Sequence, residues 1–155
     1  MGLMDAKEYD PRPAERIKRL LLIGVPLLIA VLIFIWKFWY WPEEHVVNNF
    51  FTAIEAKNFD QAYALYNSDP AWKQHPEKYK DYTYNQFALD WGPSGDYGPI
   101  TTHRVECSTE LPKKDYQSAS GVIVVVRINN RAETKSLWVE KKSKTISLSP
   151  REAIC

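Results

Sequence analysis

From Leu20 to Trp36 the chain reads LLLIGVPLLIAVLIFIW, with no charged or strongly polar side chain, and it continues through Lys37 into the aromatic cluster Phe38, Trp39, Tyr40 and Trp41. At about 1.5 Å per residue, residues 20–41 would make a helix of about 33 Å, enough to cross the roughly 30 Å hydrocarbon core of a bilayer. The thirteen Leu, Ile, Val and Phe side chains of the run contribute about −4 to −8 kcal/mol to insertion, against about +3 kcal/mol at most for Lys37. Insertion wins, and Lys37 lies near enough to the end of the run to carry its ammonium to the headgroups. Trp36, Lys37, Trp39, Tyr40 and Trp41 are the expected membrane interface. The run is too long, and its end too bulky, for a cleaved signal peptide, so the segment reads as a permanent anchor.

Arg12, Arg16, Lys18 and Arg19 precede the run, whereas Lys37 is the single Lys or Arg in the stretch from Lys37 to Ala56. That bias predicts a cytoplasmic N-terminus and an extracytoplasmic C-terminal domain on a cell inner (plasma) membrane protein with one pass. Residues 1–19, with mixed charges, Pro11, Pro13 and no apolar period, read as a short unstructured tail. The expected organisation is tail 1–19, span 20–41 and one domain over 42–155.

Beyond the run, Pro42 followed by Glu43 and Glu44 marks a helix start. Val47, Phe50, Phe51 and Ile54 then fall at i, i+3, i+4 and i+7, one apolar face of a helix ending near Lys57, with Asn58 as its stop. Phe59, Ala62, Tyr63 and Tyr66 repeat the spacing for a second helix. A short helix is expected over 76–81 and an apolar cluster at Tyr84, Phe87, Leu89 and Trp91, followed by the loop GPSGDYGP over 92–99. Strands are expected over 100–109, 121–128, 134–140 and 145–149. GVIVVVRI is apolar at nearly every position and reads as a central strand covered on both faces. Helices first and antiparallel strands later make an α+β domain, with helices packed on one face of the sheet.

After Trp41 the chain carries 14 Lys and Arg against 15 Asp and Glu, which favours neither nucleic acid nor an acidic surface as partner. His45, His75, His103, Cys107 and Cys155 lack the short recurring spacings of a metal site, and no cofactor is expected. Asp90 beside Trp91 is the candidate pocket carboxylate, its ordinary reading being a helix-end group. His103 shares strand parity with Val105 and Cys107 and is the second candidate, its ordinary reading being a hydrogen-bonded core histidine. Cys107 lies in a strand and Cys155 is the last residue, so two free thiols are expected, with pairing in an oxidising compartment as the alternative. Trp72, Tyr82, Trp91 and Tyr97 head the aromatic residues of the type enriched in binding surfaces. Of the seven, with Tyr79, Tyr84 and Trp138, two or three are expected to be exposed.

The stretch VVNNFFTAIEAKNFDQAYALY, a helix carrying FALDWGP, a glycine-containing loop and the strands ITTHRVE, GVIVVVRI and SLWVEKKSKTISLS resemble the nuclear-transport-factor-2-like, or ketosteroid-isomerase-like, cone fold. The resemblance covers residues 43–149 and is nearest to bacterial members behind a single N-terminal anchor. It extends to the inner-membrane assembly factor of type IV secretion systems, though no motif here singles out that system. It implies a curved antiparallel sheet whose interior is either filled or open to a ligand, and the fold alone leaves activity undecided. The resemblance implies that Tyr82 and Tyr84 could supply an oxyanion donor, as tyrosines do in ketosteroid isomerases, but the matching acidic positions of those enzymes are not evident here. The expected function is a non-catalytic interaction or accessory domain of a membrane complex; the alternative is a small-molecule-binding or isomerase-like domain. Expected partners are the lipid bilayer and other membrane proteins, with a homo-oligomer compatible with the same surfaces.

Overall fold

The structure, a computed structural model, describes residues 12–111 and 120–155; the side chains of residues 12–16, Arg19, Trp36 and Lys37 lie outside the description. The first part of the expected tail, residues 1–11, and most of the turn between the first two strands, residues 112–119, lie outside it as well. The chain divides into two units, Met1–Trp39 and Tyr40–Cys155.

The first unit contains helix α1, Arg12–Lys37, of 26 residues with Pro26 inside it. The helix starts within the segment expected to be an unstructured tail. Pro13 falls in its first turn, where a missing N–H costs no internal hydrogen bond, and elongation out of an established helix is far easier than nucleation. Residues 20–35 are all exposed, around the whole circumference of the helix, with Leu22 at 78% and Phe34 at 63%. Among the described residues no helix is long and apolar enough to cross a membrane. The helix also stops earlier than expected: Lys37 is its last residue, and a turn over 38–40 separates it from the next helix.

The second unit is α+β. Helices α2 (Trp41–Glu55) and α3 (Phe59–Asn67) are followed by 3-10 turns at Trp72–Gln74 and Pro76–Tyr79 and by helix α4 (Tyr84–Trp91); four strands follow, β1 (His103–Thr109), β2 (Gly121–Ile128), β3 (Thr134–Glu140) and β4 (Ile146–Leu148). Pro42 occupies the first turn of α2 with Glu43 and Glu44 behind it, where carboxylates meet the positive end of the helix. Asn58, expected to stop α2, instead starts α3 by accepting the backbone N–H of Gln61. The chain reverses just before it at Lys57, whose φ of 59° places it in the left-handed region. Thr83 and Gln86 form a reciprocal capping box at the start of α4.

The strands form one antiparallel sheet in the order β1-β2-β3-β4, joined between β2 and β3 by a tight turn with Asn129 and Asn130 at φ 51° and 53°. Asparagine tolerates that left-handed backbone better than other non-glycine residues. On the inner face, Val122, Val124, Val126, Ile128, Leu137, Val139 and Ile146 pack with Val47, Phe50, Phe51 and Ile54 of α2, Tyr63 of α3, and Phe87 and Trp91 of α4. On the outer face a smaller cluster joins Leu111, Ile123 and Val125 to Cys107, Trp138 and Ala153. β2 is therefore covered on both sides, as its unbroken apolar run predicts. The four expected strands form, as do the helices expected on the apolar faces of 47–54 and 59–66 and the one carrying FALDWGP; the short helix expected over 76–81 is reduced to the 3-10 turn Pro76–Tyr79. Leu89 is the exception among the apolar positions, at 63% exposed: Tyr84, Phe87 and Trp91 share one face of α4, and Leu89 is on the other.

Cys107 and Cys155 are joined in a disulfide, which overturns the expectation of two free thiols. The strand parity used for His103 also fails one step on. His103 pairs with Ile128 and Val105 with Val126, but a bulge at Glu106 shifts the register so that Cys107 pairs with Val125. His103 and Val105 thus face the helices while Cys107 faces the outer side, where the C-terminal residue meets it.

Candidate functional site

A cavity of about 510 Å³ opens between the end of α3, α4, the loop after it and the inner-face ends of β3 and β4. Its chemistry comes from Tyr66, Tyr82, Asp90, Trp91, Tyr97 and Lys135, with Leu89 and Leu148 as apolar wall. Its size is that of an ordinary small-molecule site.

The side chains come from several elements. Tyr66 comes from the last turn of α3 and lies 5.4 Å, ring to ring, from Tyr82. The Tyr82 hydroxyl donates to Asp90 Oδ2 at 2.8 Å, and the Tyr82 carbonyl accepts the hydroxyl of buried Tyr63 at 2.6 Å. Asp90 stands at the exposed end of α4, and Trp91, 5% exposed, is nearly parallel to Tyr97 at 6.4 Å. Tyr97 is fixed from the β2–β3 turn and the residue after it: the Arg131 guanidinium lies over its ring and donates to its carbonyl at 3.0 Å, and Asn129 Nδ2 donates to the same carbonyl at 3.3 Å. Asn129 Oδ1 also accepts the backbone N–H of Thr101 at 2.8 Å, so the β2–β3 turn anchors the loop that closes the cavity. Gly95 lets that loop lie on the end of α4, since a Cβ there would stand 2.0 Å from the carbonyl oxygen of Asp90.

Burial first, then the nearby Asp90 carboxylate, pushes the Tyr66 hydroxyl up to about 12. Tyr82 is raised further by burial and by its hydrogen bond to Asp90; Tyr97 is raised chiefly by burial. All three are neutral hydroxyls near pH 7, suited to donating hydrogen bonds and unsuited to taking a proton. The arrangement can hold a small amphipathic molecule, since the lining combines polar groups with the apolar side chains of Trp91, Leu89 and Leu148.

The two candidates proposed from sequence are not brought together. Asp90 lines the cavity. His103 does not: its Nδ1 lies 2.7 Å from Glu55 Oε1 and its Nε2 3.0 Å from Asn48 Oδ1, and its ring stacks on Phe51 at 5.3 Å. Both ring nitrogens are occupied by α2, which leaves none for a substrate. Trp72 is apart again, stacked on Tyr84 at 5.0 Å beside a smaller hollow of about 210 Å³ shared with Tyr63 and Tyr79. Of the seven aromatic residues, Trp91 is buried and the other six are half-buried; none is fully exposed, contrary to the expectation of two or three. Each is occupied by ring neighbours or by the sheet. Of the expected membrane-interface residues, Trp39 and Trp41 are exposed at 61% and 52%, while Trp36 and Lys37 lie outside the described side chains. Tyr40 packs against the inner core of the second unit, so it belongs to the folded domain.

Sequence reasoning missed Tyr66, counted only as a core residue, and Lys135. Lys135 had a usable signal: it shares strand parity with Leu137 and Val139, which places it on the inner face. Among the described residues no group of three His, Cys, Asp or Glu side chains could hold a metal ion.

The chain matches no family model, no curated protein and no solved structure.

Proposed function

We propose that this is a single-pass protein of the bacterial inner (plasma) membrane, with its N-terminus in the cytoplasm. Its C-terminal unit is an extracytoplasmic, non-catalytic interaction or accessory domain of cone-fold type, a subunit or assembly factor of a membrane protein complex. The observation that carries the reading is the exposure of residues 20–35 on every side of α1. A helix apolar all round and uncovered all round needs lipid or another protein around it. Those residues span about 24 Å as a helix; Trp36 and Lys37 extend it by about 3 Å, and a mismatch of a few Å against the hydrocarbon core costs only fractions of a kcal/mol per Å.

Sidedness has two independent supports. The four cations before the run favour a cytoplasmic N-terminus, and the disulfide between Cys107 and Cys155 belongs to an oxidising compartment. The non-catalytic reading is supported by the full engagement of His103 and by tyrosine hydroxyls held in the neutral state. Tethering supplies the rest, because a domain fixed in a membrane meets its neighbours there at high effective concentration.

The test is protease treatment of spheroplasts, followed by purification in mild detergent with mass spectrometry of what accompanies the protein. The reading expects digestion of the C-terminal unit with an N-terminal tag protected, and companions at stoichiometric levels. A chain released from membranes by alkaline carbonate would refute it, as would a lone monomer.

The cavity favours a second reading, a binding domain for a small amphipathic molecule. Lys135 and the Tyr66 hydroxyl would meet its anionic or carbonyl group, and Asp90 a donor. Thermal shift against a panel of such molecules separates the two: stabilisation of the native chain that Asp90→Asn abolishes favours the ligand.

A further inference from the structure

The last residues of the chain run across the outer face of the sheet, on the side away from the cavity and helices. Ala153 packs on the cluster of Leu111, Ile123 and Val125. Its N–H donates to Ser136 Oγ at 3.0 Å, and the N–H of Ser149 donates to the Ser136 carbonyl at 3.3 Å. Ser136 is 6% exposed, so its hydroxyl has this strap as its cover. Ile154 is 99% exposed and contributes no burial. The disulfide fixes the far end, closing a loop across 48 residues of sequence.

We propose that the disulfide between Cys107 and Cys155 is a redox latch on this strap: a dithiol reductant that opens it frees residues 149–155 and loosens the cover over Ile123, Val125 and Trp138. Without the bond, the contacts that the strap makes among the described residues, the Ala153 methyl group and two hydrogen bonds to Ser136, together with those of Arg151, do not offset the backbone entropy of ordering the segment. The fold survives the release, because the inner core packs against α2, α3 and α4 and has no residue from the strap.

The position of the sulfurs sets the order of events. Cys155 is exposed and Cys107 half-buried, so a reductant thiolate attacks Sγ of Cys155 and forms a mixed disulfide, and Cys107 leaves as a thiolate. The second thiol of the reductant then closes on its own partner sulfur, leaving as a disulfide and releasing Cys155 as a thiol. Two electrons pass from the dithiol to the protein disulfide, with no other reactant.

The test is hydrogen exchange by mass spectrometry on the full chain in mild detergent, before and after dithiothreitol, alongside the Cys155→Ser variant. Exchange at Ala153 is expected to rise about tenfold or more on reduction, with the amides of β2 and β3 still protected, as expected of a local opening. Cys155→Ser should show the released pattern without reductant, and its Cys107 should react readily with a maleimide. Unchanged protection at Ala153 after reduction would overturn the latch. So would loss of protection across β2 and β3, which would make the bond a structural staple of the sheet.

Discussion

Tyr82 donates its hydroxyl proton to Asp90 across 2.8 Å, and the same carboxylate raises the neighbouring Tyr66 hydroxyl. Burial raises both phenols first, and this one anion adds to the rise in each. Asp90→Asn is expected to move both tyrosine ionisations down, by removing a charge that opposes the phenolate. Ultraviolet titration of the native protein reads this directly, and Tyr66→Phe identifies the step near pH 12. The sign for stability follows. A phenol raised in the folded state favours folding below its ordinary value near 10 and loses that contribution as pH climbs to about 12. Unfolding midpoints should fall across that window, less steeply in Tyr66→Phe. An identical alkaline slope in both proteins would sink the account.

His103 is bonded through both ring nitrogens to side chains of α2 and is largely buried at the point where β1 begins. It is therefore a structural tie between helix and sheet. His103→Leu should lower the free energy of unfolding by about 1–3 kcal/mol, since Glu55 and Asn48 lose their partner in a partly desolvated place. Urea denaturation measures that loss. Binding of any molecule to the cavity should be unchanged, and a selective loss of binding with stability intact would reassign His103 to the site.

The helices and strands of the second unit were legible because their signals are local. Val47, Phe50, Phe51 and Ile54 mark one face of α2 by spacing alone, and the eight residues of β2 announce a strand covered on both faces. Three features were not legible. The bulge at Glu106 adds one residue to the pleat, and no composition signal marks it, so strand parity alone puts Cys107 on the wrong face. Asn58 is a polar residue between two apolar faces and serves equally as an end or a beginning; only the bond to Gln61 decides. The cavity draws Tyr66, Asp90, Tyr97 and Lys135 from positions far apart in the chain, and no short-range pattern registers such a meeting. Asp90 draws notice through its place beside Trp91, whereas Lys135 carries only its strand parity with Leu137 and Val139.

Gly95 tests whether the loop that closes the cavity is tied to α4 as closely as its backbone implies. A Cβ at this position would meet the carbonyl oxygens of Asp90 at 2.0 Å and Leu89 at 2.9 Å, and neither backbone group can yield without unwinding the helix end. Gly95→Ala should cost about 1–3 kcal/mol and displace Tyr97 from Trp91. Gly98 is the control. It sits at φ +61° in open space, so Gly98→Asn, which tolerates the left-handed backbone, should cost well under about 1 kcal/mol. Chemical denaturation of both variants gives the comparison, and equal costs would contradict the packing described for Gly95.

The anchor reading makes a sharp demand on α1. The thirteen Leu, Ile, Val and Phe side chains of residues 20–36 supply about −4 to −8 kcal/mol toward insertion, whereas a Lys at mid-helix opposes it by about 2.5–3.5 kcal/mol. Leu28 and Ile29, both exposed, at 59% and 51%, lie near the middle of the run. One substitution, Leu28→Lys, should leave insertion favourable or balanced, because the long side chain can still reach toward an interface. The double change Leu28→Lys and Ile29→Lys also removes two of the favourable residues, leaving about −3 to −7 kcal/mol against about +5 to +7 kcal/mol, a sum centred near or above zero. The double variant should therefore partition into the carbonate-soluble fraction or be degraded, while the single variant stays with the membrane. If the double variant were retained as firmly as the native chain, the association would lie elsewhere than in α1, and the tethering on which the accessory role depends would have to be abandoned.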